Sequence, residues 1–140
     1  DCPICDQGGE CQLQDLAVGY GASGSRYTEA KRVVVNKNLG PLISTDMTRC
    51  IHCTRCVRFG PEIAGIMELG MAGRGEHSEI LSFVGKTVDS ELSGNVIDLC
   101  PVGALVSKPF RYSARTWELS RRKSISPHCG LGSNLVVQVK

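Results

Sequence analysis

Two stretches of the chain decide its fold: Cys50-Ile51-His52-Cys53-Thr54-Arg55-Cys56 and, further on, Cys100-Pro101-Val102-Gly103-Ala104. Three cysteines separated by gaps of two residues can bring their thiolates to three irons of a cubane, because each short gap lets the loop turn. Cys100 supplies the remote fourth thiolate, and Pro101 fixes φ so that the chain turns sharply away. We expect Gly103 to keep the backbone slim where it passes the inorganic core. The spacing therefore predicts one [4Fe–4S] site, with the ligands Cys50, Cys53, Cys56 and Cys100.

Zinc and disulfide bonds are the alternative explanations of this pattern. Zinc sites usually pair two C-x2-C knuckles, or one knuckle with histidines, and a third cysteine at this spacing would crowd a tetrahedral ion. Cysteines separated by two residues seldom bridge, and no segment has the pattern of a secretory signal peptide. The spacing favours iron–sulfur, and a zinc-binding structural module without a redox role is the alternative.

A further group of cysteines opens the sequence, in Cys2-Pro3-Ile4-Cys5-Asp6-Gln7-Gly8-Gly9-Glu10-Cys11. Cys2, Cys5 and Cys11 form the first group, and the four cysteines above form the second group. The first group supplies three ligands, one fewer than a cubane needs. We expect the N–H groups of Gly8 and Gly9 to point at cluster sulfurs, which would raise the reduction potential. A residue upstream of Asp1 explains the missing ligand better than the candidates within the chain, which are His52, His77, His128 and Cys129.

Composition limits the classes of protein that the chain can represent. It has 140 residues, 8 cysteines, a formal net charge of +2 and 21% charged residues. This length suits one domain or two small modules, and the charged fraction is that of a folded protein. No apolar run approaches the roughly 20 residues of a membrane span. Lys and Arg are dispersed, which gives no indication of a nucleic-acid surface, and no Ser-His-Asp set or carboxylate pair indicates substrate turnover.

Three arginines, Arg49, Arg55 and Arg58, alternate with the cysteines of the second group. A cubane with four thiolates is negatively charged in either redox state, so nearby cations would favour its reduction. Solvated surface arginines are the alternative, and the sequence does not separate the two.

Periodicity and capping residues predict short elements of both kinds. Ser90 is predicted to cap the third helical stretch. The predicted helical stretches are residues 12–18, 46–64 and 90–99. The predicted strands are residues 33–35, 79–84, 116–125 and 135–139.

Residues 1–15, which contain the first group, resemble a segment of the large iron–sulfur subunit of NADH-quinone oxidoreductase, respiratory complex I. In that family a histidine in an H-x3-C pattern completes a [4Fe–4S] cluster with three cysteines, and it would precede residue 1 here. The second group resembles the all-cysteine [4Fe–4S] site of the same family. The long gap between Cys56 and Cys100 favours complex I, because related formate dehydrogenases and iron hydrogenases carry another tight cysteine run there. The resemblance continues through residues 58–65, 91–101 and 107–110.

The resemblance implies an α+β fold made of small iron–sulfur modules. Residues 1–40 would be a [4Fe–4S] module of the one-histidine, three-cysteine type, residues 41–110 a ferredoxin-like [4Fe–4S] module, and residues 111–140 the beginning of a molybdopterin-oxidoreductase-like domain. The chain would be an internal fragment, with a [2Fe–2S] domain upstream. Ser126 and Ser133 stand where some family members have cysteines of another cluster, so Cys129 is predicted to be an orphan thiol.

The function that the resemblance implies is electron transfer, from NADH and flavin towards quinone, with no catalytic residue in this segment. The implied partners are the NADH- and FMN-binding subunit and the iron–sulfur subunits that lead to quinone, with no nucleic acid and no direct membrane span. The implied location is peripheral, on the cytoplasmic side of the bacterial inner membrane or the matrix side in mitochondria. The alternative is the iron–sulfur subunit of a soluble NAD-linked formate dehydrogenase or iron hydrogenase. The implied ligands of two [4Fe–4S] clusters are Cys2, Cys5, Cys11, Cys50, Cys53, Cys56 and Cys100.

Overall fold

Short helices and strands alternate with loops along the chain, and the computed structural model describes all 140 residues. The helices are α1 (Gln12–Tyr20), α2 (Arg55–Phe59) and α3 (Asn95–Leu99). The strands are β1 (Ile43–Thr45), β2 (Leu69–Ala72), β3 (Glu79–Ser82), β4 (Leu105–Ser107), β5 (Ser120–Ile125) and β6 (Asn134–Val139). This mixture of short elements agrees with the predicted α+β class. None of the helices combines the length and the apolar character that crossing a bilayer requires.

The strands form three antiparallel pairs, β1 with β4, β2 with β3, and β5 with β6. In the first pair Thr45 lies opposite Leu105, and the Asp46 N–H donates to the Ala104 carbonyl at 2.8 Å. The chain that leaves β1 leads to Cys50, whereas the chain that enters β4 comes from Cys100. Pairing of β1 with β4 therefore brings the cysteine run and the remote cysteine of the second group to the same end of a small sheet.

The main core lies between these two strands, the β2–β3 pair and α3. Among its most deeply buried side chains are Leu39 and Leu105, at 1% and 2% exposure. Burying a side chain of this size contributes about 1.5–3 kcal/mol. Cys50, Cys56 and Cys100 pack against this core, so the core holds most of the second group in place. The eight buried members of the core are Leu39, Ile43, Met47, Leu69, Ile80, Val88, Val96 and Leu105.

The strand predicted at Val33-Val34-Val35 is absent, so that prediction is wrong. The Val34 N–H donates to the Thr48 hydroxyl at 3.1 Å, and the Lys37 N–H donates to the Thr45 hydroxyl at 3.0 Å. Side-chain oxygens thus take the backbone donors that a partner strand would have taken. The segment lies beside β1 and the turn that follows it.

The helix predicted from Ser90 begins only at Asn95, so Ser90 is not its cap. The Ser90 hydroxyl instead accepts the Leu92 N–H at 3.2 Å, which favours a local turn over a helix. The helices predicted near residues 12–18 and 46–64 are confirmed by α1, by the turn Met47–Arg49, by α2, and by the π turn Gly60–Ala64 that continues α2. Strands β3, β5 and β6 are confirmed within the predicted ranges, apart from Asn134, while residues 116–118 form a 3-10 turn.

The β5–β6 hairpin stands apart from the core, and all of its strand residues are exposed. Its ion pairs with the rest of the chain are long, at 4.0 Å between Arg121 and Glu10 and 3.7 Å between Lys140 and Glu118. Such exposed pairs contribute little to stability.

Candidate metal centres

The four cysteines of the second group line one recess that is partly open to solvent. Cys50, Cys56 and Cys100 are half-buried, whereas Cys53 is exposed at the rim. Apolar side chains complete the wall, among them Met47, Ile80, Val102 and Leu105. The structure thus brings together all four predicted ligand residues of this group.

Two residues in left-handed conformations turn the cysteine run. His52, in the first gap, has φ +54°, and Thr54, in the second gap, has φ +60°. Such conformations cost non-glycine residues on the order of 1–3 kcal/mol and persist where the surroundings hold them. The His52 ring nitrogen Nε2 lies 2.9 Å from the Ser78 carbonyl, and its backbone N–H donates to the Cys50 sulfur at 3.4 Å. The chain thus turns within each gap, as the spacing predicts, and in the first gap the His52 N–H also donates a hydrogen bond to a cysteine sulfur.

Burial discourages two thiols of the second group, Cys50 and Cys56, from ionising. Burial raises the pKa of Cys56 to about 11, and the neighbouring cysteines add to the increase by charge repulsion. Burial likewise raises the pKa of Cys50, against the opposing effect of the His52 N–H. Four thiolates in this recess therefore need positive charge among them, and a metal that binds thiolate supplies it.

The donors of the second group fit a cluster of several metal ions. The four thiols border one shared recess, which suits a cubane in which each iron takes one protein ligand.

The first group lies in a tight loop before α1. Cys5 and Cys11 are buried, each with 8% exposure, whereas Cys2 is exposed. The Gly8 N–H donates to the Cys5 carbonyl, and the Gly9 N–H donates to Gln14 Oε1, both at 3.0 Å. The expectation that these two N–H groups point at sulfurs is therefore wrong, because the loop closes on its own carbonyl and on α1.

Gly9 is required for packing. Its φ is +91°, and a Cβ added there would lie 2.8 Å from Cζ3 of Trp117. A real Cβ does not approach a ring carbon this closely, so the absent side chain lets Trp117 cover the loop.

The two groups meet at residues 101–104. The Cys11 thiol donates to the Pro101 carbonyl at 3.7 Å. Cys11 also forms a small buried cluster with Val102 and Ala104, against which Cys50 and Cys100 pack. Segment 101–104 is therefore a common wall, with one group of cysteines on each side.

Gly103 lies on the side of this wall that faces the first group. A Cβ added at Gly103 would lie 2.1 Å from the Cys5 sulfur. The sequence predicts that the slim backbone passes the core of the second site, and the structure places it against Cys5 instead. That prediction is corrected, because segment 101–104 presents Gly103 to the opposite side from Cys100.

Three internal candidates for the missing fourth ligand have partners elsewhere. His52 contacts the Ser78 carbonyl, and His77 lies 3.5 Å from Glu76. The Cys129 sulfur lies 3.1 Å from the Ser133 hydroxyl in the loop between β5 and β6. Hydrogen bonds from Ser133 and from backbone N–H groups nearby lower the pKa of Cys129 to about 7.

The arginines near the second group separate into two kinds. The Arg49 side chain is only 7% exposed, and its guanidinium lies 2.8 Å from Asp46 and 3.3 Å from Asp1. It also donates to the Gly103 carbonyl at 3.4 Å. Arg58 is exposed and pairs with Glu62 at 2.9 Å, which is a surface pair of little energetic weight. Arg49 is therefore buried beside segment 101–104, whereas Arg55 lines the recess of the second group.

Sequence reasoning missed a contact between the first group and the region before β5. Arg115 donates from Nη1 to the Cys5 carbonyl at 2.6 Å and from Nη2 to the Pro3 carbonyl. The Tyr112 N–H donates to the Asp6 carboxylate at 3.1 Å. A local sequence pattern does not predict a contact between residues that lie 110 positions apart.

Two known families match the parts of the chain that carry the two groups. The ferredoxin-like domain of NADH-quinone oxidoreductase subunit 3 matches residues 40–106. The iron–sulfur binding region of NADH-ubiquinone oxidoreductase-G matches residues 1–26.

Curated relatives extend the similarity across the chain. The NADH-ubiquinone oxidoreductase 75 kDa subunit of Reclinomonas americana is 59% identical over 140 residues, which are 100% of this chain and 20% of the relative. The chain belongs to the family of the large, 75 kDa iron–sulfur subunit of NADH-quinone oxidoreductase. Another relative in this family, the mitochondrial NADH dehydrogenase iron–sulfur protein 1 of Solanum tuberosum, is 62% identical over 96% of this chain and 18% of its own length. The chain thus spans about a fifth of the length of these curated relatives.

A solved structure shares the fold of this segment of the large iron–sulfur subunit. The NAD+-reducing [NiFe]-hydrogenase in its H2-reduced state matches 81% of this chain and 50% of the hydrogenase chain. The TM-score is 0.69 and the sequence identity is 31%.

Proposed function

We propose that this segment relays single electrons within NADH-quinone oxidoreductase and holds two [4Fe–4S] clusters. The observation that carries the proposal is the common wall at residues 101–104. On one side of it the four cysteines of the second group border a single recess, and on the other side Cys5 and Cys11 are buried. Ligands on both sides of a thin segment suit electron transfer between two centres.

Each cluster, when bound, accepts and returns one electron without making or breaking a substrate bond. The residues of this chain bind it, orient it and exclude water. Met47, Ile80 and Leu105 provide apolar walls beside the second group. The His52 N–H donates to the Cys50 sulfur, and a hydrogen bond of this kind stabilises the more reduced, more negative state. No general acid or base is needed for this role.

The ligand assignment follows from the two groups. We assign Cys50, Cys53, Cys56 and Cys100 to the second cluster. We assign Cys2, Cys5 and Cys11 to the first cluster, with a histidine completing the set as in the family. The additional [2Fe–2S] cluster of the family is expected outside residues 1–140.

The role within the whole enzyme is part of the same proposal. Electrons from NADH, through flavin on a partner subunit, would pass along these clusters to further iron–sulfur subunits and quinone. The segment would lie in a peripheral part of the complex, on the cytoplasmic or matrix side. The proposed units are residues 1–40, 41–110 and 111–140, and the last of them would begin a molybdopterin-oxidoreductase-like domain.

A second candidate is the iron–sulfur subunit of a soluble NAD-linked hydrogenase or formate dehydrogenase. The fold match to the NAD+-reducing [NiFe]-hydrogenase favours it. The identity of 31% to that structure is lower than the 59% identity to the Reclinomonas americana subunit, which supports the complex I assignment. Quinone reduction by NADH supports complex I, whereas reduction of NAD+ by H2 or formate supports the second candidate.

Iron and acid-labile sulfide analysis of the intact, anaerobically prepared protein tests the proposal, together with low-temperature EPR. We expect about eight iron atoms from residues 1–140 in addition to those of any other cluster, and two separate [4Fe–4S] signals on reduction. A colourless protein with stoichiometric zinc and no iron would contradict the proposal and support the zinc alternative.

A further inference from the structure

Cys5 of the first group contacts two residues that lie far from it in the sequence, Gly103 and Arg115. Its carbonyl accepts a hydrogen bond from Arg115 Nη1 at 2.6 Å, and its sulfur lies in the space that a Cβ at Gly103 would occupy. Neither residue belongs to the first group or to the loop that carries it. Both contacts come from parts of the chain that follow the second group.

A glycine is required at position 103 because there is no room for a side chain, and not because the backbone conformation is unusual. Its φ is not among the positive values, so another residue could adopt its backbone conformation. The conflict is steric, since a Cβ there would lie 2.1 Å from the Cys5 sulfur and 3.3 Å from Cβ of Gln7. Any side chain at Gly103 must displace Cys5 or the wall.

Arg115 acts through two hydrogen bonds to the backbone of the same loop. Its guanidinium donates to the carbonyls of Pro3 and Cys5, one on each side of Ile4. The Arg115 N–H donates to Glu118 Oε2 at 2.8 Å, and the guanidinium lies 5.8 Å from the Trp117 ring centre. Hydrogen bonds from a charged donor are about twice as strong as neutral ones, so this contact can hold the turn that precedes Cys5.

We propose that Gly103 and Arg115 are positioning residues for Cys5, so that the first cluster site is completed by two segments outside its own loop. This inference rests on the proposed function, because it assumes that Cys5 is a cluster ligand. The hydrogen bonds of the Arg115 side chain go to the first loop, while the second group packs on the main core.

The variants Arg115→Gln and Gly103→Ala test the proposal in the intact, anaerobically prepared protein. We expect each variant to lose the EPR signal of the first cluster, or to shift its g values and reduction potential, while the second signal keeps its wild-type form. Where the first cluster is lost, the iron content from residues 1–140 falls from about eight to about four atoms. Arg115→Lys keeps the positive charge but loses the planar guanidinium that donates to two carbonyls. It should therefore retain more of the first signal than Arg115→Gln.

Matched controls exist in the same chain. Gly70→Ala adds a methyl group where nothing lies within 4 Å. Arg122→Gln removes an arginine from the exposed strand β5. Both controls should keep both signals and the full iron content.

The outcomes separate this proposal from the proposed function. An unmodified protein without [4Fe–4S] signals would refute the function itself. Two wild-type signals with unchanged potentials in both variants would overturn the positioning role, as would selective loss of the second signal in Arg115→Gln. Should Gly103→Ala yield no folded protein, Arg115→Gln decides, because Arg115 is partly exposed and outside the core.

Discussion

The two cysteine groups present the same chemistry on different supports. Three cysteines of the second group pack against a core of eight buried side chains, and the gaps of the run turn locally at His52 and Thr54. The first group precedes α1, which has no buried residue, and it is held by polar and steric contacts from residues 101–117. Two sites with the same ligand chemistry can therefore differ in support, because the second group rests mainly on a core around it, whereas the first group also depends on segments that follow the second.

Removing a cysteine ligand should produce the largest difference between the two sites. Cys53→Ser should abolish the second cluster and leave the first largely intact, because Cys53 lies at the rim of one recess only. Low-temperature EPR of the reduced intact protein measures both signals. If no [4Fe–4S] signal were lost, the ligand assignment would be wrong.

Removing core support should weaken the second site next. Leu105 is 2% exposed and lines the recess, so Leu105→Ala should lower the free energy of unfolding by about 2–5 kcal/mol. Denaturant unfolding measures this change. Leu131→Ala is the control, since Leu131 is 96% exposed and should change stability by less than about 0.5 kcal/mol. Equal effects of the two changes would contradict the view that this core supports the second group.

A smaller change should disturb only the first loop. Gly9→Ala should destabilise the protein by about 1–3 kcal/mol, because the residue has φ +91° and faces Trp117. Gly19→Ala, within α1 and with open space around it, should stabilise the helix by about 0.5–1 kcal/mol. Thermal unfolding of the two variants compares them, and a neutral Gly9→Ala would show that Trp117 does not brace the loop.

The smallest effect concerns the thiol that belongs to neither group. The pKa of Cys129 is lowered to about 7, so its thiolate fraction, and its alkylation rate, should fall about tenfold per pH unit below that value. Ser133→Ala removes the side-chain hydrogen bond, so the pKa should rise and alkylation at pH 7 should slow. Mass spectrometry of the Cys129 peptide follows the rate. A rate independent of Ser133 would locate the cause of the lowered pKa elsewhere.

Local sequence predicted some parts of this protein well and others poorly. Helix α1 and the helical segments around the second group were predictable, because helical periodicity and turns depend on residues close in sequence. The strand at Val33-Val34-Val35 was not, because the backbone N–H groups of Val34 and Lys37 donate to the hydroxyls of Thr48 and Thr45 and not to a partner strand. Strands β1, β2 and β4 have only three or four residues, too few for a periodic pattern to emerge.

The sequence by itself determined the donors, the turns between them and the family, because thiolates at fixed covalent spacing can meet a cubane in few ways. Only the tertiary structure decided which backbone supports which ligand. It directs the Gly8 and Gly9 N–H groups to oxygens, presents Gly103 to Cys5, and brings Arg115 to a carbonyl 110 residues away. Such contacts arise when separate segments pack, and packing depends on volumes and directions that no local pattern contains.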